Sequence, residues 1–166
     1  MTGSTEPPTG YRRGVGLVLT DGRGRIFAGE RLDTPGAWQM PQGGIDRGEE
    51  PRVAAVRELF EEIGTDRATI LTESPLWYRY DFPEELGRRL WGGRYRGQAQ
   101  KWFLLRFDGK DADIDIAGHH PEFSRWTWLP PADLLDAIVA FKRPVYETVL
   151  ALFADQLPLA CCDTPP

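Results

Sequence analysis

Residues 43 to 64, "GGIDRGEEPRVAAVRELFEEIG", decide the fold prediction and raise the question of function. Within a helix, Glu58 would stand three residues from Glu61 and four from Glu62. Like charges at those spacings destabilise a helix by about 0.2–0.5 kcal/mol for each pair. Helix stability therefore gives a poor reason for this arrangement. The stretch predicts either an ordinary solvated face or a face that binds a doubly positive ion.

The expected helix has clear limits and two different sides. Pro51 suits a first helical turn, where its missing N–H is no loss, and Gly64 suits the left-handed position just past the end. With about 100° per residue, one sector is apolar and is expected to face a sheet, while the three glutamates lie nearly opposite. The apolar residues are Val53, Val56, Leu59, Phe60 and Ile63.

The composition is that of an ordinary globular domain. The chain has 166 residues, of which 41% are apolar and 27% are charged, values typical of soluble proteins with a sizeable core. Its net charge of −5 argues against a general nucleic-acid binder held by phosphate contacts. It allows a phosphorylated substrate that is bound through metal ions. No stable nucleic-acid partner is expected.

Two further features bear on location. The sequence contains no apolar run of the length typical of a membrane span, about 18 residues or more, and "MTGSTEPPTG" lacks the basic start and apolar core of a signal peptide. The cysteines, Cys161 and Cys162, are adjacent and cannot form a disulfide framework. We therefore expect a cytoplasmic protein without a membrane partner and with reduced tail thiols.

Alternating apolar residues and turn signals divide the chain into strands and helices. The segments "GVGLVLT", "DGRG" and "RIFAGER" predict a hairpin over 14–31. Strands on both sides of the acidic helix, followed by two more helices, predict an α/β fold with a mixed sheet covered by helices on both faces. We expect a flexible arm at 1–10, one domain at 11–157 and a flexible tail at 158–166. The other expected strands are 68–80, 98–107 and 123–130, and the other expected helices are 131–141 and 143–157.

The fixed residues of the acidic stretch resemble the signature of the Nudix hydrolase family. Thr65 is a mild departure, at a position where the family usually has an aliphatic residue, and it concerns packing rather than chemistry. The segments "YDFP", "RLWGG" and "GQAQKW" resemble the branch of RNA pyrophosphohydrolases and asymmetrical dinucleoside polyphosphate hydrolases. The resemblance covers about residues 11–157 and implies an α/β/α sandwich around a mixed β-sheet. The matching positions are Gly43, Glu49, Arg57, Glu58, Leu59, Glu61, Glu62, Ile63 and Gly64.

This resemblance implies a metal-dependent hydrolase, in which the acidic face of the helix would bind a divalent metal ion. Nudix enzymes hydrolyse a nucleoside diphosphate linked to another group, by attack of water on phosphorus. Mg²⁺ prefers oxygen ligands, and Mn²⁺ or another divalent ion could replace it. Glu58, Glu61 and Glu62 would hold the metal, together with a backbone carbonyl near Gly43. Arg57 would orient a neighbouring glutamate, or would form a plain surface pair with Glu61.

The general base is expected in a late loop, because this branch of the family places a glutamate there. The segment "HHPEF" supplies Glu122, and its context matches the branch. Glu122 would then be a base or a metal ligand, and otherwise a solvated loop carboxylate. Glu61 is the other carboxylate with an expected catalytic role, so the identity of the base stays open.

Five residues are predicted to contact the substrate, by resemblance and by their chemistry. Cationic side chains suit phosphate oxygens, and aromatic rings suit a nucleotide base. The cations are Arg12, Lys101 and Lys142. The aromatic residues are Tyr80 and Phe141, for which a place in the core is an equal alternative.

These features predict a metal-dependent pyrophosphohydrolase. Its substrate would be a dinucleoside polyphosphate, with diadenosine tetraphosphate giving ATP and AMP, or the 5′-triphosphate end of RNA, or both. The same metal site serves each substrate, so the sequence leaves the choice open. Hydrolysis of other nucleoside diphosphate derivatives, such as ADP-ribose or damaged triphosphates, is the alternative among enzymes. A non-catalytic nucleotide sensor would have a broken set of glutamates, whereas this set is intact.

Overall fold

The computed structural model describes residues 3–118 and 120–157, which form eight strands, four α-helices and short 3₁₀ turns. The strands are β1 (Gly3–Ser4), β2 (Tyr11–Thr20), β3 (Ile26–Arg31), β4 (Trp38–Gln39), β5 (Gln42–Gly44), β6 (Ala68–Asp81), β7 (Gly97–Phe107) and β8 (Phe123–Leu129). The helices are α1 (Pro51–Ile63), α2 (Glu84–Arg89), α3 (Pro131–Ala137) and α4 (Arg143–Leu152). The 3₁₀ turns are Leu90–Gly93, Asp111–Asp113 and Ala154–Gln156. Within the described ranges, no helix has the length and apolar character needed to cross a membrane.

A mixed sheet organises the chain around β2. Its strands follow the order β1-β6-β7-β2-β3-β4, with β5 paired to β2 and β8 paired to β3. β2 runs parallel to β7, from Tyr11 opposite Gly97 to Thr20 opposite Arg106, and the other pairings are antiparallel. On its second edge, β2 pairs with β3 only at Thr20 and with β5 nearer its start. Because β3 and β5 share this edge of β2, β5 lies against the middle of the sheet, directly before the acidic helix.

Apolar side chains cover both faces of the sheet, because successive residues of a strand point to opposite sides. Val15 and Leu17 of β2 pack in the layer under α1, whereas Val18 packs in the layer under α4. Trp102 of β7 is fully buried on the α4 side. A Cβ on Gly16 would contact its ring at 2.5 Å, so a glycine is needed there. The result is the α/β/α sandwich that the sequence predicted.

The predicted buried face of α1 is wrong in part. Val53, Val56 and Phe60 are exposed by 57%, 42% and 58%, whereas Glu58 and Glu62 are buried. Small alanines let the helix approach the sheet closely, and the buried face therefore extends to these two glutamates. Hydropathy alone places every carboxylate in solvent, which is why the prediction failed. The apolar residues that do pack against the sheet are Ala54, Ala55, Leu59 and Ile63.

The other expected elements are confirmed, with some changed limits. α1 begins at Pro51 and ends before Gly64, whose φ of 72° is left-handed. The hairpin and the three later strands lie where the alternation predicted them. α3 ends at Ala137, earlier than expected, because Ile138 is extended and forms a bridge with Trp38.

Two segments were not predicted from the sequence. Within the first ten residues, which were expected to form a flexible arm, β1 pairs with Trp77 and Tyr78 of β6. Between β6 and β7, α2 and the turn Leu90–Gly93 form a helical excursion. The predicted tail at 158–166, with both cysteines, lies outside the described residues.

Truncation of Leu59 and of Phe60 tests the orientation of α1. Leu59→Ala removes a side chain that is 1% exposed in the apolar layer, so the free energy of unfolding should fall by about 2–5 kcal/mol. Phe60→Ala removes a largely exposed ring from the next position and should change that energy by less than about 0.5 kcal/mol. Urea denaturation measures both. Equal losses in the two variants would contradict this orientation.

Candidate active site

The predicted site residues converge on a cavity of about 580 Å³ beside β5 and α1. Carboxylates, cationic side chains and aromatic rings all contribute to its wall. Nine residues that the sequence singled out line it. They are Arg12, Gly43, Glu58, Glu61, Glu62, Tyr80, Glu122, Phe141 and Lys142.

Two adjacent glycines of β5 let charged groups approach the backbone. A Cβ on Gly43 would overlap the carboxylate of Glu58. A Cβ on Gly44 would overlap the guanidinium of Arg12. β5 is itself fixed by its pairing with β2. The glycine pair therefore places a carboxylate and a cation against the same short strand.

Arg57 joins three glutamates and a backbone carbonyl. Its Nε and Nη2 donate to the two carboxylate oxygens of Glu49 at 2.9 and 2.8 Å. Its Nη1 donates to Glu58 at 2.9 Å and to Glu61 at 3.2 Å, and Nη2 also donates to the carbonyl of Gly44 at 2.8 Å. The hydrogen bonds from Arg57 lower the pKa of Glu49 to about 2. Arg57 thus does more than form the plain surface pair with Glu61 that was the alternative expectation.

Two carboxylates are buried where a full negative charge is unfavourable. Burial raises the pKa of Glu58 to about 7, although Arg57 acts in the opposite direction. Glu62 lies deeper, and burial together with the charges of Glu58 and Glu122 raises its pKa well above the usual range. The backbone N–H of Gln42 donates to Glu62 at 3.2 Å. An added positive charge would stabilise the ionised form of both carboxylates.

The donor set of the cavity fits a hard divalent cation. Mg²⁺ and Mn²⁺ prefer oxygen ligands, and the carboxylates of α1 share this cavity with that of Glu122. Across residues 3–118 and 120–157, no three His, Cys, Asp or Glu side chains form a finished metal cluster. Arg57 instead holds Glu58 and Glu61 on its own guanidinium. The fit therefore rests on the chemistry and burial of the donors.

Glu122 lies immediately before β8 and reaches the same cavity. Its backbone carbonyl accepts a hydrogen bond from the N–H of Leu32 at 3.0 Å, which fixes the loop to the end of β3. Its charge contributes to the raised pKa of Glu62. The structure thus places the predicted late-loop glutamate near the carboxylates of α1. His119, in the same loop, is outside the described residues.

Two cations meet at one amide oxygen in the cavity. Nζ of Lys142 donates to Oε1 of Gln39 at 2.9 Å, and Nη1 of Arg31 donates to the same oxygen at 3.0 Å. Burial, together with the charge of Arg31, lowers the pKa of Lys142 to about 7. A bound anion would favour the charged form of Lys142. Arg31 and Gln39 were not identified from the sequence.

Tyr80 and Phe141 line the cavity while also packing in the core. Their ring centroids are 5.8 Å apart, with an angle of 49° between the planes. Tyr80 is only 5% exposed, and its hydroxyl accepts a hydrogen bond from Nε2 of Gln42 at 3.4 Å. Burial raises the pKa of Tyr80 to about 12. The two rings therefore contact each other across the cavity wall.

The unpredicted segment after β6 supplies an aromatic rim. Trp91 has a φ of 45°, in the left-handed region that is uncommon outside glycine. Its ring stacks on Phe82 with centroids 5.9 Å apart, and the guanidinium carbon of Arg12 lies 4.5 Å from the ring centre. The Trp-Gly-Gly sequence is the signal that could have revealed this turn, since Gly92 and Gly93 also have positive φ.

Lys101 is the predicted substrate contact that the structure does not bring to the cavity. It stands opposite Val15, which packs in the α1 layer. Gln98 and Gln100 lie three residues and one residue before it in β7. Because side chains alternate along a strand, both glutamines project from the face of the sheet opposite to Lys101. Gln98 lines the cavity, and Nε2 of Gln100 donates to its Oε1 at 3.2 Å. Neither amide was predicted, because charged and aromatic side chains are the residue types that indicate a phosphate or base contact in a sequence.

The fold and the site together define a class of protein, an α/β/α domain with a carboxylate-rich helix directed at a cavity that cationic side chains also line. The chain belongs to the Nudix family, since the model of the NUDIX domain matches residues 10–149. Nudix hydrolases generally use divalent metal ions, in agreement with the donor set described above.

Several relatives resemble this chain over most of its length. The RNA pyrophosphohydrolase of Rhodospirillum rubrum is 58% identical over 144 residues, which cover 87% of this chain and 87% of that protein. Nudix hydrolase 26, chloroplastic, of Arabidopsis thaliana is 52% identical over 157 residues, covering 91% of this chain and 73% of that protein. The crystal structure of a C. elegans Ap4A hydrolase binary complex has a TM-score of 0.63 at 21% identity, covering 87% of this chain and 98% of that chain. This last likeness is one of fold.

Glu62→Gln tests whether the buried carboxylate of α1 binds metal. The substitution keeps the shape of the side chain and removes one negative charge, so Mn²⁺ should bind at least about tenfold more weakly. Activity should be lost, while metal-free stability should be unchanged or higher because a buried charge is gone. Calorimetric titration with Mn²⁺ measures the affinity, and Glu73→Gln, at an exposed position, is the control. Undiminished affinity in Glu62→Gln would rule out this residue as a ligand.

Proposed function

We propose that this protein is a divalent-metal-dependent pyrophosphohydrolase that cleaves the phosphate chain of a 5′-nucleotide. The proposed substrates are the 5′-triphosphate end of RNA and dinucleoside polyphosphates. The observation that carries this proposal is that the carboxylates of α1 share one cavity with Arg12, Arg31 and Lys142. The 58% identity to a protein named RNA pyrophosphohydrolase gives further support. The cytoplasm, where RNA and nucleotides occur together, is the proposed location.

Carboxylates gathered at the cavity are the proposed metal ligands. Glu58, Glu61 and Glu62 would bind from α1. Glu122 and the backbone carbonyl of Gly43 would complete the set. Mg²⁺ is the proposed ion, and Mn²⁺ or another divalent ion would also suit oxygen ligands. Such an ion neutralises charge on phosphate oxygens and lowers the pKa of bound water.

The chain's own residues position the reacting groups. Arg57 limits the movement of Glu58 and Glu61, because its other edge is fixed by Glu49. Glu122 would accept the proton of the attacking water. The water oxygen then bonds to phosphorus while the bond to the leaving phosphate oxygen breaks. Glu61, the other carboxylate with an expected catalytic role, is the second candidate for the base.

The phosphate chain would lie along the cationic part of the cavity. Arg12 presents a planar guanidinium group, which binds phosphate oxygens in pairs. Arg31 would add positive charge, since its own N–H groups donate to Asp33 and Gln39. Lys142 would become fully charged when a phosphate approaches, since its lowered pKa reflects burial beside Arg31. The 5′ nucleoside would stack on Tyr80 and Phe141, which line the cavity with the aromatic rim. Binding at these fixed points determines which phosphorus the water can reach.

Glu122→Gln tests the proposed base. The change keeps the size of the side chain but removes its ability to accept a proton, so kcat should fall by roughly 100- to 10,000-fold. The acid limb of the pH–rate profile should change with it. Steady-state hydrolysis over pH 5–9 is the measurement, with Glu73→Gln as the control. A loss below about fivefold with an unchanged pH profile would place the base elsewhere, with Glu61 the next variant to make.

The substrate proposal is tested by a panel and by the products formed. Catalytic efficiency should be highest for 5′-triphosphorylated RNA or diadenosine tetraphosphate, and lower for ADP-ribose and free triphosphates. Diadenosine tetraphosphate should give equal ATP and AMP, because a nucleoside fixed at one end of the cavity sets an off-centre cut. Ion-exchange separation of early products shows this. ADP as the sole early product, or a clear preference for ADP-ribose, would contradict the proposal.

A further inference from the structure

Arginines are concentrated beside the aromatic rim of the cavity, in an otherwise acidic protein. Residues 11–13 and 79–96 contain seven arginines and three acidic residues, a net charge of +4, although the whole chain carries −5. The rest of the chain therefore carries −9. The proposed hydrolysis uses only Arg12 of this group.

A second, more open groove of about 290 Å³ lies next to the active-site cavity. Phe82 lines both the cavity and the groove, so the two adjoin at this residue. Arg88, Tyr95 and Arg96 line the groove together with Asp81 and Glu84, and both arginines are exposed. A chain that leaves the cavity past Phe82 would meet exposed arginines and the ring of Tyr95 in this groove.

In and around the groove, arginines lie against aromatic rings. The guanidinium carbons of Arg96 and Arg79 are 5.6 and 5.2 Å from the ring centre of Tyr11. That of Arg94 is 5.4 Å from the ring centre of Tyr95. Stacking uses the face of a guanidinium, whereas phosphate oxygens bind its N–H edge. The arginine surface consists of four residues, Arg79, Arg88, Arg94 and Arg96.

Two carboxylates of the groove form exposed ion pairs with its two arginines. Arg88 pairs with Glu84 along α2, and Nη2 of Arg96 lies 3.8 Å from a carboxylate oxygen of Asp81. All four of these side chains are more than half exposed. Exposed ion pairs of this kind contribute little to stability, because water and salt screen them. Phosphate groups can therefore compete for both arginines.

We infer that the arginine surface and its groove bind the single-stranded RNA that follows the 5′ nucleotide held in the cavity. Backbone phosphates would contact the arginines, and unstacked bases would pack on Tyr95 in the groove. Cations combined with aromatic rings bind single strands with little dependence on sequence. A dinucleoside polyphosphate has no strand to occupy this surface. The inference therefore favours RNA as the substrate, and it rests on the proposed function.

Binding without metal tests the arginine surface apart from catalysis. The probe is a fluorescein-labelled single-stranded RNA of eight nucleotides with a 5′-hydroxyl, followed by fluorescence anisotropy in EDTA. The variant Arg88→Gln/Arg94→Gln/Arg96→Gln should bind at least about tenfold more weakly than the wild type. The slope of log K against log salt should fall by about 2, since each lost phosphate contact on a single strand contributes about 0.7.

A matched control removes the same charge elsewhere. Arg23→Gln/Arg52→Gln/Arg67→Gln changes three exposed arginines outside the groove and should bind the RNA like the wild type. Equal weakening in both triple variants would overturn the inference, because net charge alone would then explain binding. Wild-type binding of a polyglutamate peptide as tight as that of RNA would also overturn it, in favour of an acidic protein partner.

Activity on substrates with and without a strand completes the test. Wild-type kcat/KM should rise from a nucleoside triphosphate to triphosphorylated RNA of several nucleotides. The groove variant should lose at least about tenfold on that RNA and less than twofold on diadenosine tetraphosphate. Equal loss on both substrates, or no loss on RNA, would overturn the inference and leave the proposed function standing. An enzyme inactive on every substrate would instead overturn the proposed function, while RNA binding in EDTA would still decide the inference.

Discussion

The burial of Glu58 and Glu62 against the glycine strand β5 is the constraint on which the rest of the structure depends. A helix turned to bury its largest apolar residues would cover Phe60 and direct both carboxylates to solvent. The structure has the opposite orientation, with Phe60 exposed and the two glutamates buried. Gly43 makes this possible, because any larger residue would occupy the place of the Glu58 carboxylate. Such a departure from the local hydropathy pattern is common where a fold serves a functional site.

The pKa values of the carboxylates and of the lysine in the cavity are shifted in opposite directions by one common cause. Burial raises the pKa of Glu62 and lowers the pKa of Lys142, since neither charged form has enough opposite charge or water around it. A polyphosphate with its divalent ion brings positive charge to the carboxylates and negative charge to Lys142 and Arg31. The same ligand thus stabilises both sides. This complementarity connects the fold to phosphate-chain chemistry.

The sequence predicted the features that depend on local pattern. It missed the features that depend on which distant segments pack together. Alternation along β2 and β7, and the turn residues Pro51 and Gly64, determine their elements over a few residues and were read correctly. The burial of Glu58 depends on a strand fifteen residues earlier in the chain, and no hydropathy pattern contains that information. Lys101 was misplaced for a similar reason, because the face to which a strand residue points depends on the packing of its neighbours. Charge alone could not show that Gln98 occupies the cavity instead.

The carboxylates of α1 are proposed to hold a divalent ion that contacts the phosphate chain directly. Electron paramagnetic resonance of bound Mn²⁺ tests it, with a non-hydrolysable 5′-triphosphate analogue carrying oxygen-17 on its phosphates. Direct coordination predicts that the labelled analogue broadens the Mn²⁺ lines of the wild-type protein. The broadening should disappear in Glu62→Gln under the same conditions. An unbroadened spectrum from wild-type protein with both Mn²⁺ and nucleotide bound would contradict the account.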